Sequence, residues 1–155
     1  MLRRDDGAGP AVIERLRVLT SPSSDLLLID AGHAPENVLG TIIRFAPTHV
    51  IYIDAIRSDG EPGSIHWLLP ADIDEYGGST HSLSLSMLAE YLMQTTGAHI
   101  VIAGIQPESM DFSIGLSAKV HKAVEILAAD VASYWRKATT ACSAMSVGST
   151  SVVSN

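Results

Sequence analysis

Apolar and polar positions along this chain follow two periods, and each change of period marks an element. In "GPAVIERLRVL" (residues 9–19), Val12, Ile13, Leu16 and Leu19 recur at helical spacing and Pro10 suits a first helical turn, so the segment predicts an amphipathic helix. "DLLLID" at 25–30 and "HVIYIDA" at 49–55 are short apolar runs that close on an aspartate, as buried strands do, and "HIVIAGI" at 99–105 is a third such run. "SIHWLL" at 64–69 alternates in part and fits an edge strand. "ENVLGTIIRFAP" at 36–47 predicts a short helix stopped at Pro47, and "RSDGEPG" is a turn by composition. "STHSLSLSMLAEYLMQTTG" at 79–97 opens on Ser/Thr capping residues and continues as a helix, and "SAKVHKAVEILAADVASYW" at 117–135 predicts another.

Strands alternating with helices predict an α/β fold: a three-layer sandwich in which helices flank a mostly parallel, twisted sheet. One domain is expected over residues 1–137. The segment after Lys137, "ATTACSAMSVGSTSVVSN", is rich in small and hydroxylated residues and reads as a disordered tail over 138–155.

Bulk properties narrow the class. With 155 residues, 46% of them hydrophobic and 17% charged, the chain can bury a core of its own. A formal charge of −7 argues against a nucleic-acid partner, because phosphate binding needs a basic surface. The single cysteine, Cys142, excludes an internal disulfide and a cysteine-built metal cage, and it fits a reducing compartment. No apolar run reaches the roughly 18 residues of a membrane span, and the charged first residues lack the apolar stretch of a signal peptide. The expectation is a cytoplasmic protein.

Parallel sheets bind ligands beyond the carboxyl ends of their strands. Asp54 closes an apolar strand there, and the alternative is a turn aspartate bonded to the following loop. Asp5 and Asp6 precede a Gly-x-Gly that opens a helix. They can serve chemistry, or they can merely cap the helix. No Gly-Lys-Ser/Thr follows, so a phosphate-binding P-loop is excluded. His81, behind Ser79 and Thr80, is either a ligand or base or a surface residue of a helix start, and His33 beside Asp30 is a weaker candidate. Topology puts Asp6, Asp54 and His81 on one plausible face of one sheet. Two oxygen donors and one nitrogen, with open positions left over, suit a borderline divalent ion such as nickel or zinc. The His-Glu-x-x-His and Gly-x-Ser-x-Gly patterns are absent.

Six segments stand in order: "DDGAGP" at 5–10, "DAGHAPEN" at 30–37, "FAPTHVIYIDA" at 45–55, "PGSI" at 62–65, "THSLSLSMLAEYL" at 80–92 and "GIQPE" at 104–108. Together they resemble the nickel–iron hydrogenase maturation endopeptidases, and most closely the hydrogenase 3 type. The resemblance covers roughly residues 2–130. It implies an endopeptidase, aspartic-type by family classification. Such an enzyme removes the C-terminal extension of a hydrogenase large-subunit precursor after nickel insertion. It also implies that Asp6, Asp54 and His81 contact the metal, and general acid–base chemistry then makes Asp6 or Asp54 the expected activator of water. The nickel would be carried mainly by the substrate, with no organic cofactor. The partner would be the large-subunit precursor.

The same resemblance implies an apolar first strand ending in Gly-x-Gly-Asn directly ahead of the acidic turn. Here Met1-Leu2 stands in that place, so the first strand reads as missing and the recorded start as lying downstream of the true one. Loss of a central strand would leave buried backbone groups unpaired, at about 1–3 kcal/mol each, and would set Asp5 and Asp6 on a mobile end. Three other readings stay open at this point: another small α/β peptidase, an inactive relative that docks the metalloprotein without cutting it, and a generic nucleotide-binding sheet.

Overall fold

The computed structural model describes residues 4–32, 34–76, 80–109, 115–142 and 149–154; the side chains of residues 4, 74–76, 80–84 and 141–142 fall outside that description. A short 3₁₀ turn, Arg4–Gly7, leads into α1 (Ala8–Leu19). Strand β1 (Leu26–Asp30) is followed by a 3₁₀ turn at Pro35–Val38 and by α2 (Leu39–Phe45). Helix α2 ends because Ala46 turns left-handed, with φ of 51°, and Pro47 cannot continue it. Then come β2 (His49–Ala55), β3 (Ile65–Leu68), a 3₁₀ segment at Pro70–Tyr76, α3 (Thr80–Thr96), β4 (His99–Ile105), α4 (Ala118–Cys142) and β5 (Thr150–Ser154).

The five strands form one sheet in the order β1-β5-β2-β4-β3. Every pairing is parallel except that of β3, which lies antiparallel on β4 at the edge. Helices α1 and α4 pack on one face. The core there joins Val12, Ile13 and Leu16 of α1 to Val124, Leu127 and Val131 of α4 and to Ile51, Ile53 and Val152 of the sheet. Helices α2 and α3 cover the other face, where Ile42, Leu85 and Leu92 meet Val50, Tyr52, Ile102 and Val153. The expected three layers are present.

Two expectations need correction. The segment 138–155 is not a disordered tail throughout: α4 runs on to Cys142, and residues 150–154 form a strand in which every residue is buried. The interior position beside β1 and β2, which the resemblance gives to a first strand, is occupied by that strand. β5 lies between β1 and β2, parallel to both, with Leu28 and Ile51 flanking Val152. The β-branched residues Thr150, Val152 and Val153 suit a strand enclosed on both faces. The facing backbone edges of β1 and β2 are therefore paired through β5, and Asp5 is held by four hydrogen bonds rather than loose.

Candidate active site

Three elements meet at the carboxyl edge of the sheet. Asp54 is the penultimate residue of β2 and partly buried; its Oδ1 accepts the N–H of Ala55 at 2.8 Å. The 3₁₀ turn that carries Asp5 and Asp6 packs against β2 at that edge, because α1 starts there and runs back toward the start of β1. Helix α3 likewise begins at this edge and delivers the chain to the amino end of β4. His81 sits in the first turn of α3, and its side chain lies outside the described residues.

The two neighbouring aspartates have separate jobs. Asp5 is fully buried. Its carboxylate accepts the N–H groups of Glu108, Ser109 and Ser117 at 2.8, 3.0 and 2.7 Å and the Ser117 hydroxyl at 3.0 Å. Burial pushes its carboxyl up, but the donors of Ser117, Ser109 and Glu108 outweigh that and hold it below the ordinary carboxylate value. The helix-capping alternative does not apply to it: Gly7 is the residue that precedes α1, and no side chain caps that end. Asp5 instead ties the acidic turn to the loop after β4 and to the start of α4. Asp6 is left partly exposed beside it.

The loops after β2 and β4 are laced together. The Ile56 N–H donates to the Ile105 carbonyl at 3.0 Å, Gly63 N–H to the Gln106 carbonyl at 2.8 Å, and Gln106 N–H to the Ser64 carbonyl at 2.9 Å. Side chains add to this: the Ser58 hydroxyl donates to Gln106 Oε1 at 2.8 Å, and the His66 Nε2 lies 2.9 Å from the Ser64 hydroxyl and 3.2 Å from that of Ser58. Gly104, the register partner of Asp54, leaves room for Ile56: a Cβ there would stand 2.8 Å from Ile56 Cδ1. The polypeptide after Asp54 is thus clasped from both sides. Sequence reasoning missed Ser58, His66, Gln106 and Ser117 as supports; the "RSDGEPGS" and "GIQPE" segments were the only signal.

Asp6 and Asp54 thus share one edge of the sheet, and the helix carrying His81 starts there. Asp30 ends β1 but is occupied locally, its Oδ1 accepting the Gly32 N–H at 3.0 Å, and His33 lies outside the described residues. No cluster of three His, Cys, Asp or Glu side chains occurs among the described residues. No helix is long and apolar enough to cross a membrane among them either. A broad apolar cleft lies at the opposite, amino edge, walled by His49, His99, Trp67, Leu69 and Tyr134. His49 and Asp54 are five residues apart in an extended strand, about 16 Å, so that cleft is remote from the acidic groups.

Comparison with known proteins shows the family. Residues 10–133 match the family model described as hydrogenase maturation protease, HycI. The chain is 34% identical over 122 residues to the hydrogenase 3 maturation protease of Escherichia coli K12, covering 78% of this chain and 76% of that protein. The crystal structure of a nickel–iron hydrogenase maturation protease from Thermococcus kodakarensis superposes with a TM-score of 0.80 at 34% identity, covering 87% of this chain and 86% of the other. The solution structure of an Escherichia coli endopeptidase, HycI, gives 0.75 at 30% identity, covering 86% and 85%.

Proposed function

The chain belongs to the hydrogenase maturation protease family, and on that footing we propose that it removes the C-terminal extension of a nickel–iron hydrogenase large-subunit precursor after nickel has been inserted. The observation that supports this reading is that the turn carrying Asp6 packs against β2, whose penultimate residue is Asp54, while Asp5 and Gln106 tie that turn and the loop after β2 to the segment after β4.

In this reading Asp6, Asp54 and His81 contact the nickel that the precursor brings. That ion is cargo, held mainly by the precursor's own thiolates, so the protease needs only a few oxygen and nitrogen donors with open positions between them. Precursor without nickel forfeits those contacts and is cut poorly, which makes the metal the signal that the hydrogenase site is finished. Asp6 or Asp54 takes a proton from the attacking water, and the departing amine is protonated in turn, which is the chemistry of an aspartic-type peptidase. Such a reaction belongs in the cytoplasm, where the precursor is made.

The test compares cleavage of nickel-loaded and nickel-free precursor side by side, with Asp6→Ala, Asp54→Ala and His81→Ala each assayed on the loaded form. The expected result is cutting of the loaded precursor alone and a loss of at least about a hundredfold in each variant. Parental rates in all three variants would overturn the site assignment.

A further inference from the structure

We propose that Thr150–Ser154 is, in spatial and mechanical terms, the first strand of this domain, and that its carboxyl end forms one wall of the active-site crevice.

The first support is the place of β5 in the sheet. It is central, parallel to both neighbours, and registered along its whole length with β1 on one side and with His49 to Ile53 of β2 on the other. The second is the position of α1, which packs on β1, β2 and β5 together. It starts at the carboxyl edge, where β5 ends, and returns to the amino edge, where β1 begins. A chain passing from Ser154 into the turn at Arg4–Gly7 would make β5, α1 and β1 a strand–helix–strand unit of adjacent parallel strands. Counted from β5, the strands stand in the order second, first, third, fifth, fourth. That is a doubly wound sheet whose direction reverses between β5 and β2, and ligands of such sheets bind beyond the strand ends at the reversal. Asp54 is the residue that follows Ile53, the partner of Ser154 at this point.

Packing gives the same answer. Val152 is fully buried in the core under α1 and α4, and Val153 is fully buried in the core under α2 and α3, so the strand belongs to both layers. The Ser154 carbonyl accepts the Ala31 N–H at 3.0 Å, which holds the end of β5 level with the turn after Asp30.

The strand assignment stands on topology alone; its positioning role rests on the protease reading. A chain in which residues 149–155 are moved directly ahead of Met1, with all other residues in their present order, tests both. The expected result is one cooperative unfolding transition within about 5 °C of the parental Tm. The Val152 and Val153 amides should exchange as slowly as those of Ile51 and Ile53 in both chains. Nickel-loaded precursor should be processed within about threefold of the parental rate. A relocated chain that does not fold overturns the proposal, and so do unprotected Val152 and Val153 amides in the parental chain. If both chains fold alike and the relocated one alone fails to cut, the positioning role falls. If neither cuts, the protease reading falls and the strand assignment stands.

Discussion

Asp5 and Ser117 stand 112 positions apart in the chain, yet the Asp5 carboxylate accepts both the backbone N–H and the hydroxyl of Ser117. Ser117 is also the residue before α4, and its Oγ accepts the Val120 N–H at 3.4 Å, so one serine couples a helix start to a buried acid. Asp5→Ala removes the acceptor of four donors at once. Leaving buried donors unsatisfied costs about 1–3 kcal/mol apiece, tempered by water entering the space, so a loss of about 3 kcal/mol is expected in chemical denaturation. Ser117→Ala deletes a single donor and should cost about 1 kcal/mol.

Acid should uncover the same clasp. Because the folded protein holds the Asp5 carboxyl below its ordinary value, folding favours the ionised form. The resulting stability is fully present above the unfolded value of about 3.9 and is lost as pH falls through the lower folded value. Urea unfolding measured from neutral pH downward should show little contribution from Asp5 to the slope until about pH 4.5, then a fall in the parental protein. In Asp5→Asn that part of the slope should be missing, on top of a lower stability at neutral pH.

Gly104→Ala probes the support under Asp54. The new methyl would meet Ile56 Cδ1 at 2.8 Å and its Cβ at 3.0 Å, and the Ile56 N–H is tied to Ile105. Overpacking of this kind costs about 1–3 kcal/mol. The displaced residue lies two places beyond Asp54, so precursor processing should fall more than a stability loss of that size explains. Processing assays at a temperature well below the melting transition separate the two effects.

Val152→Ala and Val153→Ala should each cost about 2 kcal/mol, because each valine is enclosed in a different core. Val18→Ala, on the exposed side of α1, should stay within about 0.5 kcal/mol of the parental chain and serves as the control. Thermal melts of the three variants suffice.

Most of the layered architecture was legible because the runs around Leu27, Ile51 and Ile102 are apolar, short and bounded by turn residues, and because α1 and α4 keep a helical period. β5 was not legible. Val152 and Val153 are flanked by serines in a stretch of small polar residues, and only the flanking strands supply the burial that makes it a strand. Asp6, Asp54 and the start of α3 could be placed at one edge from strand ends alone. The division of labour between Asp5 and Asp6 could not, since it depends on Glu108, Ser109 and Ser117, all more than a hundred residues away. The 3₁₀ segment at Pro70–Tyr76 gave no periodic signal of its own.

The interior strand that joins β1 to the rest of this sheet follows every other strand in the chain. During synthesis β1 and β2 therefore emerge with facing edges unpaired, and they stay so until Thr150–Ser154 arrives. Closure must draw together segments more than a hundred residues apart, which slows folding. In the meantime the nascent protein presents two open strand edges that a chaperone, or a neighbouring copy, is free to seize.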